Sequence, residues 1–188
     1  MKKYFCVVLI GFIFNAVVWS QQSAGVGFAD KPAVLTAIGQ SADVEMVKVL
    51  LTREKIPFRA DKSDALFKAT DLTSADKTLI IVIGSSSKGL GAAGISFDDE
   101  MSRSQALVKR AKDLGMKIIA LHVGGAVRRG ANSDKLINFA VPVADYVIVV
   151  SDSDNDGLFT NLAKEKKVPM SKVDKISLVG APLAAAFK

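Results

Sequence analysis

The sequence predicts an α/β fold: a three-layer sandwich with a parallel sheet of about five strands, flavodoxin-like or Rossmann-like in its winding. Two observations predict it. Short apolar runs of strand length alternate along the chain with longer stretches whose apolar residues recur at helical spacing. The length is also that of one well-packed domain, with no internal repeat, low-complexity tract or mid-chain linker to divide it.

Residues 1–20 stand apart from that domain. Lys2 and Lys3 form a short positive start, Tyr4 to Trp19 is almost unbroken apolar sequence, and Val18 and Ser20 sit where a signal peptidase wants small residues. The stretch is short for a membrane span, which needs about 20 apolar residues, and no charged stop follows it. This predicts a signal peptide cut near Ser20, a secreted or periplasmic protein, and no membrane attachment after cleavage. Cys6, the only cysteine, leaves with the signal, so the mature chain has no disulfide and no thiol chemistry. Loss of Lys2 and Lys3 lowers the formal net charge from +6 by two, to +4. That scattered excess suits small anions and is too weak for nucleic acid.

Residues 21–32 read as a lead-in and 33–188 as the single α/β domain. Ala33 to Ile38 is a buried strand, short, apolar and ended by Gly39. Ser41 is placed to cap a helix with Asp43 and Glu45 in its first turn, where carboxylates suit the helix dipole. Val44, Val47, Leu50 and Leu51 follow at helical spacing, then a weak strand at Pro57 to Ala60 and the strongest strand at Thr78 to Ile83. Ser96 and Asp99 signal the cap of the next helix, which Gly115 stops. Met116 to Val123 and Tyr146 to Val150 are the fourth and fifth strands, with a short helix near Ser133 to Ala140 between them. Asp156 to Lys166 and Val173 to Phe187 complete the prediction as helices, the last interrupted by Gly180 and Pro182. The expected strand order is 2-1-3-4-5, which puts the reversal of winding, and hence the favoured ligand edge, between strands one and three.

The loop after strand three reads GSSSKGLGAAG, residues 84–94. Gly89, Gly91 and Gly94 spell G-x-G-x-x-G, but Gly89 lies six residues beyond Ile83 and the Ser96 cap starts the helix too late for a dinucleotide fingerprint. A triphosphate loop fails as well, because Leu90 stands where lysine is required and Lys88 precedes the second glycine. What remains is an anion nest of glycines, serine hydroxyls and one lysine, or a small-residue turn that lets helix pack closely on sheet.

The loop after strand four reads HVGGAVRRGANSD, residues 122–134. It joins the only histidine, His122, to Gly124, Gly125, the adjacent arginines Arg128 and Arg129, and Ser133-Asp134. Arginine forks suit carboxylate, phosphate or sulfate at any relevant pH. These two loops, with GQSADV at 39–44, ADYVIVV at 144–150 and DGLF at 156–159, resemble a family of exported bacterial α/β proteins catalogued as a domain of unknown function. The resemblance runs from Leu35 to about Phe159. It implies an α/β fold, export and a site built from these loops, and it implies no catalytic role.

The leading expectation is a binding protein for a small anionic ligand, held by Gln40, Ser41, Ser87, Lys88, Gly89, Gly91, Gly124, Gly125, Arg128, Arg129, Ser133 and Asp134, with Arg103 either turned inward or solvated. Gln40 and Ser41 also read as ordinary capping residues, and Asp43 as the partner of an arginine. A second reading is a small hydrolase or lyase. There His122 is the general acid or base, oriented by Asp134 or Asp152, with Ser85, Ser86 or Ser87 as nucleophile. No G-x-S-x-G elbow supports it, and a histidine packed at the sheet end is the plainer account. A third makes the basic loops a surface for a partner protein, which an exposed apolar patch beside Arg128 favours. Asp152, Asp154 and Asp156 open like a calcium loop, but its twelfth position is Ala163 where a bidentate glutamate is needed. The sequence thus calls for no metal and no cofactor.

Overall fold

The computed structural model describes residues 26–61 and 66–188. The signal-like segment, Cys6 included, lies outside the described residues. Six parallel strands form one sheet: β1 (Ala33–Ile38), β2 (Phe58–Ala60), β3 (Thr78–Ile83), β4 (Lys117–His122), β5 (Tyr146–Val150) and β6 (Met170–Val173). Their spatial order is β2-β1-β3-β4-β5-β6. The expected five-strand order is present, extended by a sixth strand at the far edge.

Successive side chains of a strand face opposite ways, and the two faces of this sheet are both apolar. On β3, Leu79, Ile81 and Ile83 enter one cluster and Ile80 and Val82 the other. The first is covered by α3 (Phe97–Asp113), α4 (Ala131–Ala140) and α5 (Leu158–Lys166), through Leu107, Leu136 and Phe159. The second is covered by α1 (Asp43–Arg53) and α6 (Gly180–Ala186), through Val47, Leu51 and Leu183. Helix α3 begins as its sequence indicates: Ser96 accepts from the Asp99 amide while Asp99 accepts from the Ser96 amide, a reciprocal cap.

Three expectations are corrected. The C-terminal stretch is not one helix from Val173. Met170–Val173 pairs with Val147–Val150 as β6, and helix is confined to α6, which starts at Gly180 with Pro182 in its first turn, where a missing N–H is harmless. GSSSKGLGAAG is not an open loop, since Ser87–Ala92 forms a short helix, α2, whose cap Ser86 accepts from the Gly89 amide. Ser41 is not the capping position of α1, which is Ala42; its hydroxyl nevertheless accepts from the Asp43 amide.

Both ends of the described domain meet at the amino edge of the sheet. Ala29 pairs with Phe187, Lys188 reaches Asp30, and the Asp30 carbonyl accepts from Thr78 at the start of β3. Among the described residues no helix is long and apolar enough to cross a membrane.

Candidate functional site

At the carboxyl edge, the turns after β1 and β3 are tied together. The Gly84 amide donates to Ile38, Ser41 to the Gly84 carbonyl and Ser86 to the Gly39 carbonyl. Gly39 has φ 96°, and a Cβ there would lie 2.5 Å from the Gly84 carbonyl oxygen. Gln40 takes φ 60°, a left-handed conformation that a side chain with a Cβ rarely adopts. Its strain is held by Glu100, a carboxylate of α3 with no solvent exposure. Glu100 Oε1 accepts from the Gly39 amide at 2.7 Å and from Gln40 Nε2 at 2.9 Å.

Arg103 balances that buried charge. It forks onto both Glu100 oxygens at 2.8 Å and donates to the carbonyls of Ala37 and Phe67. Arg103 does turn inward, and its donors are engaged by Glu100, by the end of β1 and by the Phe67 carbonyl. Glu100 is a site residue that its sequence context does not announce. Its only signal is an acidic residue three positions before an arginine, a spacing shared by countless surface pairs.

Helix α2 then closes on Gln40. A Cβ at Gly89 would lie 2.0 Å from the Gln40 carbonyl oxygen, so this glycine exists for close approach. Gly91 faces open space. Between α1 and α2 lies a groove of about 740 Å³, bordered by Gln40, Ser41, Glu45, Lys48, Ser86 and Lys88. Because its two walls follow β1 and β3, the groove sits at the reversal of winding, where parallel sheets place their ligands. Glu45 and Lys48 pair with each other, whereas Lys88 is exposed and has no ion pair among the described residues. Ser87 is exposed beside it.

The second loop makes a different arrangement. From His122 the chain passes Gly124 and Gly125 into a single 3₁₀ turn, Ala126–Arg128, before α4. A Cβ at Gly124 would sit 2.3 Å from Asp43 Oδ2 and 2.1 Å from Arg128 Cγ, so glycine admits the Arg128–Asp43 contact, Nε to Oδ1 at 3.3 Å. Gly125 has φ 72°, and a Cβ there would come within 3.0 Å of the Asp152 carboxylate. Arg129 is held by Asp134 at 2.7 Å, by Asp156 at 2.8 Å and by the Ser153 carbonyl. Hydrogen bonds from Arg129 push Asp134 and Asp156 below the usual carboxylate range, and those carboxylates, Asp156 foremost, raise the guanidinium in turn. Ser133 accepts from the Ser85 amide at 2.9 Å, which is where the two loops touch.

The predicted residues therefore divide. Gln40, Ser41, Lys88 and Gly89 border one groove; Arg128, Arg129 and Asp134 lie beyond it, over the ends of β4 and β5, in ion pairs of their own. Charge alone could not reveal that division, because four cations near one edge look alike until their carboxylates are placed.

His122 is fully buried. A carbonyl can only accept, so Nδ1–H donates to Ile83 at 2.9 Å, and the lone pair rests on Nε2, which has no hydrogen-bond partner among the described residues. Burial lowers its pKa, against the opposing pull of the Ile83 and Gly125 backbone and of Asp43. Its ring packs on Phe159, with centroids 5.2 Å apart. No serine or carboxylate hydrogen bonds to it among the described residues, and the position of an orienting carboxylate is taken by a backbone carbonyl.

The three aspartates of the calcium-like stretch diverge. Asp154 accepts from the amides of Phe159 and Thr160, capping the first turn of α5, and pairs with Lys172. Asp156 serves Arg129, and Ala163 is buried in the core. Among the described residues no group of three or more histidine, cysteine or acidic side chains is placed to hold a metal.

A family model of the Domain of unknown function (DUF6305) matches residues 30–187, which is nearly the whole described chain. The chain belongs to the DUF6305 family. The match spans β1 to α6, so both loops and the groove between α1 and α2 lie within the matched residues. No curated protein and no solved structure matches the chain.

Proposed function

We propose that this DUF6305 protein is exported and binds a small anionic ligand in the groove between α1 and α2. The observation that carries the reading is Gln40. A non-glycine residue in a left-handed conformation, locked by the fully buried Glu100 and its partner Arg103, stands at the reversal of winding on the wall of an open groove. Strain of this kind concentrates where a backbone must present a fixed shape to something else. Lys88 supplies the charge, while Arg103 and Arg129 are spent on carboxylates of the protein itself. A thermal-shift screen against carboxylates, phosphates, sulfates and nucleotides tests it. The expected result is a rise in Tm with one anion class that Lys88→Ala reduces and Arg129→Ala retains. No rise with any class, or an equal rise in Lys88→Ala, overturns it. Export is tested by the N-terminal sequence of the protein recovered from outside the cytoplasm, expected to begin near Gln21.

One observation favours a second reading, a docking surface for a partner protein. Val127, between Gly125 and Arg128, is 88% exposed at the tip of the β4–α4 loop. Capture of a partner that Val127→Asp abolishes, with the anion screen silent, is the result that reading requires.

A further inference from the structure

The groove has a neighbour across the end of α2. It adjoins a trough of about 750 Å³, and the two share Leu66, Ala92 and Ala93 as a common wall. Ala69, Ile95 and Ala106 add apolar surface to the trough, which the exposed Lys68 and Thr70 also line. Its charged neighbours are mostly committed: Asp99 caps α3 through Ser96, and Arg103 forks onto Glu100. In the groove, Asp61 accepts from Thr36 and from the Phe67 amide. Among the described residues the groove thus offers the Ser86 hydroxyl and the unpaired Lys88 ammonium, and the trough offers hydrocarbon beside Lys68.

Size and charge together select a ligand class. Cavities for organic ligands run to roughly 300–1,000 Å³, so an inorganic anion would leave nearly all of this space to water. Among the described residues Lys88 is the groove's one lysine without an ion pair, which suits a single negative charge. We propose that the ligand is a medium-chain acyl carboxylate, its headgroup against Lys88 beside Ser41 and Ser86, its chain crossing Ala92 and Ala93 into the trough. This rests on the reading of the groove as an anion site and names what the anion carries.

Calorimetric titration of the purified protein with acetate, hexanoate, octanoate and decanoate below their micellar concentrations, and with inorganic phosphate, tests it. Affinity is expected to rise with chain length, at least about tenfold from hexanoate to decanoate as methylenes leave water. Lys88→Ala is expected to weaken decanoate about fivefold, the worth of one exposed charge contact. Ala106→Glu, an exposed helix position that tolerates glutamate, is expected to abolish decanoate binding while leaving the thermal unfolding curve in place. Lys88-dependent binding of acetate or phosphate with no chain-length dependence overturns the acyl assignment and leaves the anion site standing. Decanoate binding that survives Ala106→Glu, or that Lys68→Ala weakens as much as Lys88→Ala, overturns it too. If no carboxylate binds, the assignment falls; if phosphate and the sulfates and nucleotides of the thermal-shift screen are silent as well, the anion site falls with it.

Discussion

His122 is where a residue's chemistry and its surroundings disagree most. A histidine at the end of a central strand, close to serines and aspartates in sequence, has the makings of a general base. Burial and the Ile83 carbonyl instead fix it as a neutral ring with its lone pair turned into the interior. The linkage follows in sign. Its folded pKa lies below the ordinary value near 6.5, so the unfolded chain takes up a proton at a pH where the folded protein does not. The stability this group contributes is complete above about 6.5 and declines as pH falls toward the folded value. Because the chain has one histidine, its imidazole NMR signal is unambiguous. A titration midpoint below 6.5 in the folded protein is expected, moving up to the ordinary value in urea; a folded midpoint at or above it would contradict the burial argument.

At the scale of elements, α2 decides how the first loop should be read. Two glycines two residues apart have opposite reasons to exist. Gly89→Ala drives a methyl into the Gln40 carbonyl and is expected to cost about 1–3 kcal/mol as overpacking does. Gly91→Ala meets nothing and is expected to gain about 0.5–1 kcal/mol, the helix-interior difference between the two residues. Urea unfolding of the two variants separates them, and equal effects would remove the close-approach account. Strands β1 to β5 and helix α3 are legible because their signals are local: apolar runs, and the Ser96–Asp99 cap. Helix α2 is not, because four of its residues are serine, glycine or alanine, which carry no apolar period. Strand β6 was missed for a related reason, since Ser171 and Lys172 interrupt its apolar pattern at a sheet edge. The site was half legible. Topology gives the edge and the pair of strands that flank the proposed groove; the pairing of each cation, and Glu100 beneath Gln40, are long-range facts that spacing does not encode.

On the scale of the whole molecule, Arg129 works as a clamp. It joins the β4–α4 loop, the start of α4 and the segment that leads into α5, through Asp134, Asp156 and the Ser153 carbonyl. Arg129→Ala is expected to lower stability by about 2 kcal/mol, the range of hydrogen bonds to charged groups, while ligand affinity in the groove changes little. Denaturant midpoints and calorimetry on the same variant check both halves. A loss of affinity with stability intact would return Arg129 to the binding site.

The pairing of Ala29 with Phe187 has a consequence for how the protein is oriented when something holds it. Whatever precedes Ala29 or follows Lys188 attaches at the amino edge of the sheet, and the groove opens at the opposite edge. A six-residue strand such as β3 puts about 20 Å between them at the usual rise per residue. A tether, fusion partner or immobilising tag on either terminus therefore leaves the mouth of the groove facing outward, toward the surrounding medium.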